Sequence, residues 1–531
     1  MSSKLARSAG IISIATMGSR LLGVAREAVL ASTFGASYAM DAFNVAFKIP
    51  NLVRDLFAEG AMTAAFVPAF TRALATRDRE AAWRLGSLVI NALLVVTGAL
   101  VIFGIIFAFS ITSTIAPKFA LVPGKLELTT TLTRMMLPFL TTVAVAVAMM
   151  GMLNSLHRFF IPALSPAMFN VATIACALLL TPVMMQFGLE PVTSIAIGTL
   201  IGGLGQIALQ WPVLRKEGFR YRPVLDFNDP DLREILRLMI PGTLGLAAVQ
   251  VNVLVNTYLA TWEEQGAVSW LSYAFRLMYL PIGLFGVSIA TAALPDISRQ
   301  AVGDNLAAIR RIVSSGLRMM LMLNVPATIG LIVLAEPIVS LILERNEFTP
   351  FDTTQTAAAL MFYAPGLLGY SAVKIASPTF YSLGDSRTPV TISLVSVIVN
   401  LALNLTLVRV FGFRGLALGT ALAALVNAIA LLWLLRRRLD GLETGRILIA
   451  LAKVTLASTI MGATAYYSHV WLESLLPGRG LVAQIVQVFG AIGLAVAVLA
   501  ASARLLRIAE FNEAVARVIQ RLRARPAAPR S

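Results

Sequence analysis

Apolar residues recur along this chain in long stretches separated by short polar joints. The stretches fall at 10–34, 39–70, 85–109, 129–153, 161–184, 192–213, 238–261, 268–294, 318–342, 353–382, 389–409, 415–435, 447–467 and 481–501. A helix of about 20 residues rises about 30 Å, enough to cross the hydrocarbon core of a bilayer. The pattern therefore predicts an all-α polytopic membrane protein with 14 transmembrane helices. Pro50, Pro138, Pro281 and Pro365 lie within or at the ends of these stretches. Each removes a backbone donor and predicts a kink whose freed carbonyl must face a neighbour or water. Beyond the last stretch, Ile508, Phe511, Val515, Val518, Ile519 and Leu522 fall at helical spacing with arginines between them, the pattern of a helix lying on a membrane surface. Residues 302–316 show a weaker version.

The pattern also repeats. Ala46-Phe47-Lys48 returns as Ala274-Phe275-Arg276 and Thr63-Ala64-Ala65 as Thr291-Ala292-Ala293, both 228 residues on. Ser155-Leu156 with Pro162 returns as Ser382-Leu383 with Pro389 at an offset of 227. Span two is thereby matched with span eight, and the loop after span four with the loop after span ten. The expected organisation is two six-helix lobes as parallel repeats, 1–230 (spans one to six) and 231–440 (spans seven to twelve). Two extra C-terminal helices at 441–502 and a cytoplasmic amphipathic tail at 503–531 complete it. An even number of spans per lobe keeps both in one orientation, with a substrate path between them.

Composition agrees, with 58% hydrophobic and 13% charged residues against about 25% charged in soluble domains. The formal net charge of +16 raises the question of nucleic acid, and its distribution answers it. Of 43 Lys and Arg residues, 30 fall in segments that share a side with the N-terminus. Basic loops mark the cytoplasmic face, so both termini are expected there, and the charge borders an anionic inner leaflet rather than a nucleic acid. Lys4 and Arg7 precede a first stretch that itself contains arginines, so no cleavable signal peptide is expected. The single Cys176 sits in an apolar run and reads as a buried structural thiol. His157 and His469 are far apart in sequence, which argues against a histidine metal site.

The first two spans are the exception to this apolar picture. They carry Arg20, Arg26, Glu27, Asp41, Lys48, Arg54, Asp55 and Glu59, although a charge at mid-membrane costs about 2.5–3.5 kcal/mol on insertion scales. Such groups must face a bundle interior or a watery cavity. Arg276 in span eight and Lys374 in span ten add cations in the second half, so the buried cations outnumber the buried acids. Guanidinium groups stay charged and offer planar paired donors to phosphate oxygens, which points to an anionic, phosphate-bearing substrate. The competing reading assigns every one of these charges to helix-to-helix salt bridges.

Enzymatic constellations are missing: there is no phosphate-binding glycine loop, no HExxH and no paired-cysteine motif. The only acidic cluster, Asp226, Asp229 and Asp231, reads as a helix start. No enzymatic activity and no cofactor are expected. Uphill movement must then draw on an ion gradient or on the membrane potential, worth about 2.3 kcal/mol per charge per 100 mV.

Specific runs carry a resemblance. Ser19-Arg20-Leu21-Leu22-Gly23, Ala25-Arg26-Glu27, Phe34-Gly35-Ala36, Asp41-Ala42-Phe43, Phe47-Lys48-Ile49-Pro50-Asn51-Leu52, Leu56-Phe57-Ala58-Glu59-Gly60 and Phe66-Val67-Pro68 closely resemble the MurJ (MviN) family of lipid II flippases. Ser269-Trp270, Tyr273-Ala274, Arg276-Leu277 and Leu294-Pro295 extend the likeness into the second half. The resemblance implies the multidrug/oligosaccharidyl-lipid/polysaccharide exporter fold, in which two lobes surround a cationic cavity and spans 13 and 14 form a groove for a lipid tail. It implies a substrate, the undecaprenyl-diphosphate-linked peptidoglycan precursor, moved outward across the bacterial cytoplasmic (inner) membrane. Membrane lipids and cell-wall synthesis or division proteins are its implied partners. An exporter of another polyprenyl-diphosphate glycan, or of small drugs, is the alternative in the same fold, and the arginine surplus disfavours drugs.

Arg20, Arg26, Arg54 and Arg276 match the family's functional arginines and Asp41 its acidic position in span two; Lys48 and Glu59 lie in the same runs. Around the span-eight arginine many relatives have carboxylates, whereas this chain has Phe275 and Tyr279. Some relatives use carboxylates in spans seven and eleven for sodium. The nearest positions here are Asn256 and Asn404, with Asn252 and Asn400 one turn earlier. These amides are weak sodium-site candidates, because an amide supplies an oxygen without the charge that would hold a monovalent cation.

Overall fold

The computed structural model describes residues 3–55, 62–303 and 305–512. In chain order its helices are α1 (Ser3–Phe34), α2 (Tyr38–Asp55), α3 (Met62–Thr76), α4 (Arg79–Ile106), α5 (Ala108–Ile115), α6 (Lys125–Met136), α7 (Phe139–Ser155), α8 (Phe160–Leu179), α9 (Thr181–Gln186), α10 (Thr193–Lys216) and α11 (Pro230–Ala260). They continue with α12 (Ala267–Pro281), α13 (Val287–Val302), α14 (Leu306–Val333), α15 (Ala335–Leu343), α16 (Pro350–Tyr363), α17 (Gly366–Ser382), α18 (Arg387–Phe411), α19 (Phe413–Arg438), α20 (Thr444–Leu475) and α21 (Leu481–Leu505). Among the described residues, nine helices are long and apolar enough to cross a membrane, or ten if the bent pair α16/α17 is one span. The protein is an all-α membrane protein. α2 misses that set through its own chemistry, since Asp41, Lys48, Arg54 and Asp55 all fall within its 18 residues.

Three of the four expected proline kinks coincide with breaks. Pro138 separates α6 from α7, and Pro365 sits where α16 and α17 bend by 44°. Pro281 ends α12, and a π-helical turn, Ile282–Gly286, follows before α13. Pro50 stays inside α2. Asp229 caps α11 by accepting from the backbone N–H groups of Asp231 and Leu232, as the acidic cluster predicts. Residues 306–316 are not a separate surface helix; they are the first turns of α14, and Ile309 and Val313 there are fully buried.

The chain forms two compact units. The first comprises Met1–Ser272 with Leu343–Asp352, and it takes in α11, the helix containing the expected seventh span. Its core is aromatic, with Phe66, Phe70, Trp83 and Phe219 in a chain of tilted and edge-on contacts at centroid distances of 5.4, 5.8 and 5.5 Å. Helix α10 presses closely onto α8 because a glycine permits it: a Cβ on Gly202 would meet the Phe169 Cα at 2.8 Å. Backbone approach of this kind is the usual way apolar helices pack where solvent cannot drive them together.

The second unit comprises Tyr273–Ile342 with Thr353–Ser531. Its core gathers Val313, Leu317, Ile375, Phe380, Leu431, Leu435 and Val454. Arg318 on α14 ties this unit together at one end, bonding Glu443 at 3.2 Å and Glu510 at 2.5 Å. Of the expected C-terminal surface helix, Ile508 is buried in this core and Phe511 packs against it, while Val515 to Leu522 lie outside the described residues.

Candidate substrate-binding site

The charged residues of α1 and α2 fall into two arrangements. In the first, Asp41 in the opening turn of α2 is 1% exposed and accepts from four donors. Lys125 Nζ lies 3.0 Å away, the Gly266 amide 2.9 Å, the Ser269 amide 3.0 Å and the Ser269 hydroxyl 2.7 Å. Gly266 and Ser269 lie at the start of α12, where backbone N–H groups have no partner within the helix and the helix dipole favours an anion. Gly266 adopts φ +95°, and a Cβ there would meet the Trp270 ring at 2.7 Å, so only glycine presents this amide. Lys125 opens α6, is 2% exposed and also lies over the Phe119 ring at 4.1 Å. Asn44 extends the network by donating to the Ser269 hydroxyl at 3.2 Å. Lys125 lies four residues ahead of the apolar stretch 129–153. It is the buried counter-ion of Asp41, 84 positions away in the sequence.

The second arrangement is an arginine beside an acid. Arg26 presents Nη2 and Nε to Glu27 Oε1 at 2.5 and 3.1 Å, and its guanidinium lies over the Phe169 ring at 5.0 Å. Arg54 presents the same two nitrogens to Asp55 Oδ1 at 2.7 and 3.1 Å. Asn51 and Gln250 both donate to Asp55 Oδ2 at 3.4 Å. Consecutive residues on a helix do not face each other, so both arginines reach the acid only by folding back along their flexible stems. These pairs are less sealed: the Arg26 side chain is 15% exposed and that of Arg54 32%, against 3% for Lys125.

Arg20 and Lys48 are half-buried in α1 and α2, and among the described residues Arg20 makes no ion pair. Glu59 lies outside the described residues. Arg276 is half-buried on α12 in the second unit, next in sequence to Phe275, whose ring contacts Tyr279, Tyr363 and Tyr370 at 5.9, 5.5 and 6.2 Å. Lys374 is exposed on α17. Asn256, half-buried on α11, belongs to the first unit, and Asn404, fully buried on α18, to the second. The Asn404 amide donates to Asn400 Oδ1 at 3.0 Å, and its oxygen lies so close to α19 that a Cβ on Gly419 would meet it at 2.0 Å. An amide hydrogen thus satisfies the oxygen of Asn400.

A family model described as "Lipid II flippase MurJ" matches residues 30–502. The chain belongs to the MurJ family. Two members similar to it carry the name "Probable lipid II flippase MurJ". The Vibrio cholerae protein is 35% identical over 440 residues, covering 82% of this chain and 83% of that protein. The Rickettsia prowazekii protein is 32% identical over 511 residues, covering 96% and 99%. Among solved structures, a lipid II flippase MurJ in an inward closed conformation superposes with a TM-score of 0.75 at 25% identity, over 93% of this chain and 99% of that one. An inward-facing MATE family transporter of the MOP superfamily reaches 0.68 at 16% identity over 80% and 96%, and shares the fold alone. The MurJ motifs quoted from α1 and α2 thus lie on the two helices that hold both arrangements of charge. Sequence motifs brought Asp41 and Ser269 to attention separately; only the fold joins them to Lys125.

Proposed function

We propose that this protein flips lipid II, the undecaprenyl-diphosphate-linked peptidoglycan precursor, from the inner to the outer leaflet of the bacterial cytoplasmic membrane. It does so by alternating access of a cationic cavity, with 14 spans, both termini in the cytoplasm, and no catalytic step. The two repeats are 1–230 and 231–440, and spans 13 and 14 in 441–502 supply a groove for the lipid tail. Proteins of cell-wall synthesis and division are its neighbours in the membrane.

The observation that carries this reading is that Arg26 and Arg54 are only partly buried while paired with acids, unlike the sealed Lys125. On Arg54 a diphosphate oxygen can replace the carboxylate oxygen on the same Nε/Nη2 edge, because Asp55 is partly exposed and keeps Asn51 and Gln250 on its other oxygen. On Arg26 the diphosphate must share the guanidinium with Glu27, which is buried. Arg20 and Lys48 on α1 and α2 and, in the second unit, Arg276 are further substrate-binding cations, and Glu59 balances charge. Asp41 acts at one remove, because its oxygens are already committed to Lys125 and the start of α12. It holds closed a clamp that must release for the cavity to change sides.

The test is complementation. A bacterial host depleted of its own flippase receives this chain or its Arg20→Ala, Arg26→Ala, Arg54→Ala and Arg276→Ala variants, and outward exposure of the lipid-linked precursor is measured. Rescue by the wild type and loss of flipping in arginine variants that reach the membrane are expected. Failure of well-expressed wild type would redirect the assignment to another lipid-linked glycan, and full activity in all four variants would make the arginines structural.

A further inference from the structure

Beyond Arg276 itself, one face in the second unit takes no part in the phosphate binding proposed above. On α12, Arg276 is half-buried and Tyr279 is 40% exposed, three residues further on. On α13, Ser288 and Thr291 are exposed hydroxyls in an otherwise apolar run. In an uninterrupted α-helix Ser288 would point about 120° away from Arg276, and Thr291 about 120° away from Tyr279. The π-helical turn Ile282–Gly286 lies between them. Such a turn inserts one residue, about 100° of rotation, which brings each pair to within about 20° of alignment. Gly286 lets this wide turn lie directly on α17, since a Cβ there would meet Ser371 Oγ at 2.8 Å.

The resulting face carries a guanidinium, a phenol and two hydroxyls along one line. A face with a guanidinium in it does not belong against lipid tails. Its centre is rigid: Phe275 stacks on Tyr279 at 5.9 Å with 29° between ring planes, and the T-shaped contacts of Phe275 with Tyr363 and Tyr370 fix Phe275 in turn. A fixed, half-exposed aromatic ring with a guanidinium one turn away is a surface that takes the C–H face of a pyranose next to a phosphate, while the hydroxyls lie further along the same face.

We infer that Tyr279 is the platform for the sugar ring joined to the diphosphate, with Arg276 one helical turn away on the phosphate and with Ser288 and Thr291, roughly 13 and 18 Å further along the helix axis, on polar groups further out on the head group. This rests on the flippase reading and adds to it a basis for recognising the glycan, where the arginines recognise only charge.

The experiment measures binding of two lipids to the full chain in nanodiscs: undecaprenyl diphosphate alone, and the same lipid carrying the disaccharide. Tyr279→Leu should weaken the sugar-bearing lipid about fivefold, the scale of one aromatic contact, and leave the bare diphosphate lipid within about twofold. Tyr279→Phe, which keeps the ring, should retain most of the preference. Equal losses for both lipids, or no loss for either, would overturn the platform while leaving the flippase reading intact, as would a wild type that binds both lipids equally. A wild type that binds neither would overturn the flippase reading and the platform with it. If Tyr279→Leu does not reach the membrane, Thr291→Val makes the same comparison at the far end of the face.

Discussion

Asp41 and Asp55 are both acids on α2, fourteen residues apart, and both sit beside a cation. Asp41 is sealed, with four donors from α6 and from the start of α12, and its lysine is 3% exposed. Asp55 takes its arginine from the preceding residue, and that arginine is 32% exposed. The same chemistry therefore yields a sealed joint at one end of the helix and a partly exposed ion pair at the other. Solvent access and the reach of the partner, more than charge itself, separate the two.

The largest effect should come from breaking the sealed end. Asp41→Ala leaves Lys125 buried without compensation, and thermal unfolding in detergent should show a loss of about 3–5 kcal/mol. Adding Lys125→Met should recover much of it; if the single variant is as stable as the wild type, the sealed joint is not a joint. At the open end the expectation reverses. Arg54→Ala should cost about 2 kcal/mol or more of affinity for the diphosphate lipid, some 30-fold, while changing thermal stability by under about 1 kcal/mol. An unfolded Arg54→Ala protein would erase the distinction.

The Arg318 node in the second unit offers an intermediate case, since Arg318 and Glu443 are 18% and 21% exposed. Burial pushes the Glu443 carboxyl up, but hydrogen bonds from Ser314 and Arg318 and the charges of Arg446 and Arg318 outweigh it and hold the group below its ordinary 4.5. A depressed carboxylate contributes stability that is complete above the unfolded value and lost as pH falls through the folded one. The thermal midpoint of the wild type should therefore exceed that of Glu443→Gln by a constant margin above about pH 5 and by a shrinking one below 4.5. A margin independent of pH would mean that the node does not depend on this charge.

The smallest expected effect is at Asn404. Replacing sodium by potassium should leave the flipping rate within about twofold, because an amide hydrogen rather than a cation satisfies Asn400 Oδ1. Strong sodium dependence would reverse that assignment, and Asp at both 256 and 404 provides the gain-of-function control.

The membrane fold was legible because long apolar runs have few other uses, and three prolines marked where helices break. The charged helices were legible too, since each arginine in an apolar run carries a cost that demands a reason. Lys125 was not. It sits just after Gly124 in what reads as a polar joint, and burial of a lysine there depends on an acid 84 residues away. The π-helical turn was equally hidden: Pro281 announced a disturbance but not its form, and local composition does not distinguish a kink from one extra residue in a turn.

That extra residue has a meaning in terms of the gene. A π-helical turn is what a one-codon insertion leaves behind when a helix absorbs it without ending, and everything downstream is turned by about 100° relative to everything upstream. Between Ile282 and Gly286, the presence or absence of a single codon would decide which residues of α13 share a side with Arg276. In this part of the chain, length is as much a determinant of which side chains share a face as residue identity.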